Sequence, residues 1–69
     1  MATDGTVVSY DTGKQTGVIL GFDRRKYQFN LKDWQFQKYA PRRGLIVSFA
    51  VAGPFAFRIA IVGISSTIQ

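Results

Sequence analysis

The chain has 69 residues and a net charge of +5, so we predict a single small basic domain over residues 1–69. It contains no Cys and no His, which excludes disulfides and zinc sites built from these residues. Its acidic residues are four Asp at positions typical of turns, and no Ser lies in a nucleophile-elbow context, so we expect no enzyme activity, no metal and no cofactor.

Five β-strands are predicted in chain order, each rich in β-branched or aromatic residues and bounded by turn formers. They cover residues 6–10, 16–22, 27–31, 45–51 and 55–62. Gly17 and Gly21 inside the second strand predict curvature or a close approach of backbones. After the third strand, Asp33 is expected to cap a short helical turn that contains Trp34.

The number of strands and the lack of a long amphipathic helix predict an all-β fold, a small five-stranded antiparallel barrel whose closure removes exposed strand edges. The OB-fold is the leading candidate and an SH3-like barrel is the alternative, because strand patterns alone do not separate them. Residues 45–47 are all apolar and are not all expected to face inward. The residues predicted to form the core are Val7, Ile19, Tyr27, Phe29, Trp34, Val47, Phe49, Phe57 and Ile59.

Several short motifs have a distinctive spacing. They are Gly5 with Ser9-Tyr10 and Lys14-Gln-Thr-Gly-Val-Ile19, then Tyr27-Gln-Phe-Asn-Leu31, then Gly44-Leu-Ile-Val-Ser-Phe49, then Gly53-Pro54. With this spacing the chain resembles the bacterial cold-shock domain over residues 5–62. The resemblance implies a cold-shock-like OB-fold barrel that binds single-stranded RNA or DNA by stacking bases on aromatic side chains of its second and third strands.

Most of the residues that stack on bases in that family are replaced in this chain. Ser9 stands at the Trp position of strand one, Thr16 and Val18 replace the aromatic residues of strand two, and Gln28 and Asn30 replace Phe and His of strand three. Each base stack contributes about 1–3 kcal/mol. We therefore expect binding of single-stranded nucleic acid that is weakened or retuned.

The candidate binding residues are of three kinds. Basic residues are expected to contact phosphates, although those in the turns also fit solvated turns. Amide side chains of strand three can hydrogen-bond base edges, and loop aromatics can replace the missing stacking platforms, with Phe36 alternatively plugging the open end of the barrel. The full set is Lys14, Arg24, Arg25, Lys26, Gln28, Asn30, Phe36, Tyr39, Phe55 and Arg58.

Two functional hypotheses remain open. The first is a binder of single-stranded RNA or DNA, and the alternative is a protein-interaction or regulatory module on an OB scaffold, acting through a protein partner or self-association. The first residues lack the basic and apolar regions of a signal peptide, and no apolar run approaches the ~20 residues that span a bilayer. A cytoplasmic location without a membrane span is therefore expected.

Overall fold

Five β-strands and one short 3₁₀ turn make up the ordered elements of the computed structural model, which describes residues 2–35 and 39–64. The elements are β1 (Ala2–Asp11), β2 (Thr16–Gly21), β3 (Lys26–Asn30), the 3₁₀ turn (Leu31–Asp33), β4 (Leu45–Ala52) and β5 (Phe55–Ile64). The predicted all-β class and the five strands are thus confirmed. Within the described ranges, no helix is long and apolar enough to cross a membrane.

The strands close into a barrel in the order β1-β2-β3-β5-β4. Four of the neighbouring pairs are antiparallel, and β3 and β5 are parallel. The predicted closed five-stranded barrel is thus confirmed, and its predicted antiparallel pairing holds at four of the five pairs, with β3–β5 as the exception. In a closed ring of five strands, five reversals of direction cannot return to the starting direction, so at least one pair must be parallel.

The first strand is longer than predicted because its early residues pair with β4 rather than with β2. Thr3 lies opposite Phe49, and Asp4 lies opposite Ser48. Near Gly5 and Thr6 both neighbours are engaged at once, so β1 joins the β1–β2–β3 ribbon to the β4–β5 hairpin. This pairing is remote in sequence, which is why strand propensity alone did not show it.

The predicted helical turn is present as the 3₁₀ turn, but Asp33 does not cap it and Trp34 lies at its end rather than inside it. Asp33 lies inside the turn, Asn30 is its N-cap without a side-chain hydrogen bond, and Trp34 ends it. The Trp34 N–H donates to the Leu31 carbonyl oxygen at 3.0 Å, which closes the turn. Trp34 leaves the turn in an extended conformation and bridges to Ile59 of β5.

Period-two alternation located nearly all of the core correctly. Eight of the predicted core residues are buried, and the exception is Phe57, which is half-buried. The reason is a β-bulge, because Arg58 and Ile59 of β5 together face Phe49 of β4, and Arg58 has a φ of +52°. The extra residue turns Ala56 inward in place of Phe57.

The apolar start of β4 is also largely internal. Leu45 and Val47 are both buried, and Ile46 between them is half-buried. The segment therefore alternates as an ordinary strand, and it leaves only Ile46 on the outer surface.

The absence of a side chain at Gly17 lets the Phe29 ring approach β2 closely. A Cβ at position 17 would lie 2.6 Å from two ring carbons of Phe29 and 2.6 Å from the Ser9 carbonyl oxygen. Both distances are well inside van der Waals contact. The predicted close approach at Gly17 is thus confirmed.

We expect Gly17→Ala to lower the free energy of unfolding by about 1–3 kcal/mol, because the new methyl must displace a core ring or backbone. Gly63→Ala is the matched control, since nothing lies within 4 Å of a Cβ built at position 63. We expect that control to change stability by less than about 0.5 kcal/mol. Urea denaturation of both variants measures the difference, and equal stability of the two would contradict the packing described here.

Candidate functional site

A cleft of about 320 Å³ lies across β1, β2 and β3 at the start of β5. It brings together four of the residues predicted to bind nucleic acid, namely Lys14, Gln28, Asn30 and Phe55. Its other lining residues are Ser9, Tyr10, Asp11, Thr16, Gly17, Val18 and Phe29. Ten of these eleven residues lie within residues 9–30, in the consecutive strands β1, β2 and β3 and the turn that carries Lys14. Only Phe55 is distant in sequence, and the β3–β5 pairing that closes the barrel adds it to the site.

Strand register arranges the outward side chains of the cleft in two rows. Ser9, Val18 and Gln28 occupy one row across β1, β2 and β3, and Asp11, Thr16 and Asn30 occupy the next. The parallel pairing of β3 with β5 adds Phe55 to the first row, opposite Gln28. The Gln28 N–H donates to the Pro54 carbonyl oxygen at 2.9 Å, which fixes the position of Phe55 beside Gln28.

Three aromatic rings support this surface. Tyr10 stacks on Phe29 with ring centroids 6.0 Å apart, and Phe29 stacks on Trp34 at 5.8 Å. Phe29 and Trp34 are buried, whereas Tyr10 is half-buried at the edge of the cleft. Tyr10 was not among the predicted site residues, although its place at the end of the first strand, within the motif that resembles the cold-shock domain, was a usable signal.

The β1–β2 turn positions Lys14 at the cleft. One carboxylate oxygen of Asp11 accepts hydrogen bonds from the backbone N–H groups of Gly13 at 2.9 Å and Lys14 at 3.2 Å. The Gln15 carbonyl oxygen accepts from the Leu31 N–H at 2.9 Å, which ties the turn to the end of β3. The Asp11 carboxylate thereby organises the turn, and it also places one negative charge at the cleft beside Lys14.

A cluster of three basic residues lies at the end of the β2–β3 ribbon away from Lys14. Arg24 and Arg25 are exposed in the turn, and Lys26 begins β3 opposite Leu20. The cleft is centred on the Thr16–Asn30 and Val18–Gln28 pairs. Along β3, four residue steps, or about 13 Å, separate Asn30 at the far end of the cleft from Lys26. The structure therefore places Lys14 and the group of Arg24, Arg25 and Lys26 at opposite ends of one ribbon.

A hydrogen bond to the core holds this basic turn in place. The Tyr27 hydroxyl donates to the Asp23 carboxylate at 2.6 Å, and the Arg25 N–H donates to its other oxygen at 3.0 Å. The Tyr27 hydrogen bond is the main cause that lowers the pKa of Asp23, and the same bond raises the pKa of Tyr27. The Tyr27 ring is 4% exposed, so the turn is anchored to a core residue.

The remaining predicted site residues lie elsewhere. Tyr39 lines a second cleft of about 380 Å³ beside Trp34 and Lys32, and its carbonyl oxygen accepts from the Trp34 indole N–H at 2.7 Å. Arg58 is exposed at the β5 bulge and lines neither cleft. Phe36 lies outside the described residues.

Comparison with known proteins gives no family for this chain. No protein-family model matches it, and no curated protein matches it significantly. Any function must therefore be argued from the geometry of the barrel surface.

We expect Tyr27→Phe to flatten the pH dependence of stability at both extremes. A lowered Asp23 pKa gives stability that is present above its ordinary value of 3.8 and is lost as pH falls through the folded-state pKa. A raised Tyr27 pKa gives stability that is present below 10.0 and is lost as pH rises through the folded-state pKa. The Tyr27–Asp23 hydrogen bond is the largest cause of both pKa shifts, and this variant lacks it, while the Arg25 N–H continues to lower the pKa of Asp23.

Urea midpoints measured across the pH range test this expectation, together with an NMR titration of the Asp23 carboxyl carbon. In Tyr27→Phe the Asp23 pKa should rise toward its ordinary value. Tyr10→Phe is the matched control, because the bond to Asp23 comes from Tyr27. An unchanged Asp23 titration in Tyr27→Phe would contradict the assignment.

Proposed function

We propose that the protein binds single-stranded nucleic acid through the cleft on β1, β2 and β3. The observation that carries this proposal is the convergence of an exposed aromatic ring, two amide side chains and a lysine. Phe55 is 52% exposed and lies beside Gln28, with Asn30 and Lys14 in the same cleft. The chain's resemblance to the cold-shock domain supports the same proposal.

Each group of the cleft has a defined role in this proposal. The Phe55 ring offers one stacking platform, which suits any base because every base has a π-face. Gln28 and Asn30 supply both donors and acceptors for base edges. Lys14 offers an ammonium group to a phosphate at the turn.

Binding is expected to be modest and strongly dependent on salt. Thr16 and Val18 line the cleft where aromatic side chains would add stacking energy, so Phe55 is the exposed ring of this site in the described part of the chain. Electrostatic contacts then make up a larger share of the affinity. For such contacts, the logarithm of the binding constant falls linearly with the logarithm of the salt concentration.

We expect Phe55→Ala to weaken binding of a thymidine oligonucleotide by about fivefold or more, because one stack is worth about 1–3 kcal/mol. Lys14→Ala should reduce the slope of log affinity against log salt by about 0.7, the value for one phosphate contact on a single strand. Fluorescence anisotropy at low salt measures both quantities.

Arg43→Ala is the matched charge control for Lys14→Ala. Arg43 is exposed and lines neither cleft, so this variant removes the same charge without touching the site. Equal effects of the two variants would show that net charge, rather than the cleft, accounts for binding. No binding by the unaltered protein at low salt would disprove the proposed function.

A further inference from the structure

We propose that Phe22 and the two arginines of the β2–β3 turn form a second contact for the same nucleic-acid strand, which then runs along β2 from the cleft to the turn. This inference rests on the proposed function and extends it by naming the path of the ligand. Phe22 was not among the residues predicted from the sequence to bind.

Phe22 continues the outward row of β2. Thr16, Val18 and Leu20 point outward along the strand, while Gly17, Ile19 and Gly21 between them are buried. The Phe22 N–H donates to the Asp4 carbonyl oxygen at 2.9 Å, so the backbone stays paired with β1 just past the end of β2. We call Thr16, Val18, Leu20 and Phe22 the β2 outer row.

The exposure of this row increases toward the turn. Val18 is half-buried, Leu20 is 38% exposed and Phe22 is 64% exposed. Phe22 is the most exposed large apolar side chain in the described part of the chain. A ring this open contributes little to packing, yet the Phe22 backbone N–H is held by Asp4 of β1.

The turn that presents Phe22 is well defined. The Arg24 N–H donates to the Gly21 carbonyl oxygen at 2.9 Å, and Arg24 itself has a φ of +71°. The Gly21 N–H donates to the Arg25 carbonyl oxygen at 2.7 Å, and the Asp23 carboxylate is engaged by Tyr27. A fixed turn places its aromatic ring without a large loss of conformational entropy on binding.

Charge around the ring favours a polyanion. Three basic side chains, those of Arg24, Arg25 and Lys26, are exposed beside it. They outnumber the two nearby carboxylates, those of Asp23 and Asp4. An aromatic platform flanked by basic side chains combines the two features that sequence-tolerant binding of single strands uses, stacking and phosphate contacts.

The length of the β2 outer row fits a short single strand. From Thr16 to Phe22 is six residue steps, about 20 Å along the strand. That length matches about six stacked nucleotides at ~3.4 Å each, and fewer when the strand is extended. A trimer is therefore long enough for the cleft, whereas a longer strand reaches both the cleft and the turn.

An anionic membrane is the other polyanionic surface that suits an exposed ring with basic neighbours. The observations favour nucleic acid, because the β2 outer row leads directly into the cleft and runs beside the amides of Gln28 and Asn30 on β3. Amide side chains add nothing to contact with lipid tails, but they match base edges.

The test compares Phe22→Ala with Val62→Ala for binding of a thymidine nonamer and a thymidine trimer. Val62 is 58% exposed and lies in the part of β5 that pairs with β4, so this control removes a similarly open apolar side chain away from the β2 outer row. Nonamer affinity is measured by fluorescence anisotropy, and trimer binding by NMR shifts of the Gln28 and Asn30 side-chain amides.

We expect Phe22→Ala to weaken nonamer binding by about fivefold or more, with trimer binding unchanged and with no effect of Val62→Ala. The double variant Arg24→Ala/Arg25→Ala should also reduce the nonamer salt slope by up to about 1.4, since each arginine that pairs with a phosphate adds about 0.7 to that slope. Thermal unfolding followed by circular dichroism checks that each variant is folded.

The outcomes separate this inference from the proposed function. If the unaltered protein binds neither oligonucleotide, both fail. If it binds the nonamer and Phe22→Ala binds equally well, only the inference fails. Equal weakening of trimer and nonamer would also overturn it, as would Phe22-dependent sedimentation with phosphatidylglycerol vesicles while nonamer binding is unaffected.

Discussion

The contact between the Phe29 ring and the bare backbone of Gly17 links the interior of the barrel to its candidate binding surface. A Cβ at position 17 would lie 2.6 Å from the ring, so the Phe29 ring can lie this close to β2 only because residue 17 is glycine. The same ring also stacks on both Trp34 and Tyr10. Core packing and the support of the cleft therefore depend on one contact, and a change there alters both.

The odd number of strands in the barrel also affects its candidate binding surface. A ring of five strands needs at least one parallel pair, and here that pair is β3 and β5, which places Phe55 opposite Gln28. The Gly53-Pro54 step delivers the chain to this position, with the Pro54 carbonyl oxygen bonded to Gln28. An exposed aromatic ring thus stands next to polar amides because of how the sheet closes.

Local periodicity predicted most of the barrel, and long-range pairing accounts for what it missed. Alternation placed Tyr27 and Phe29 inside and Gln28 outside, because that pattern depends only on the pleat of a single strand. It failed at Phe57, where one extra residue in β5 reverses the alternation relative to β4. The grouping of Phe55 with the cleft was likewise beyond local patterns, since it depends on strand order.

In the binding mode proposed above, the outer surface of β2 favours a ligand held mainly through charge. Val18 and Leu20 offer apolar area but no π-face, so bases that pass over them gain contact without stacking. The rings that remain open on this surface, Phe55 and Phe22, lie near its opposite ends. Phe55 shares its cleft with Lys14, and Phe22 begins the turn that carries Arg24 and Arg25. A nucleic-acid strand held at these two ends would be little restricted in base sequence between them. Aliphatic and phosphate contacts do not distinguish one base from another. On this geometry, the amides of Gln28 and Asn30 are the groups on the surface best placed to impose a base preference.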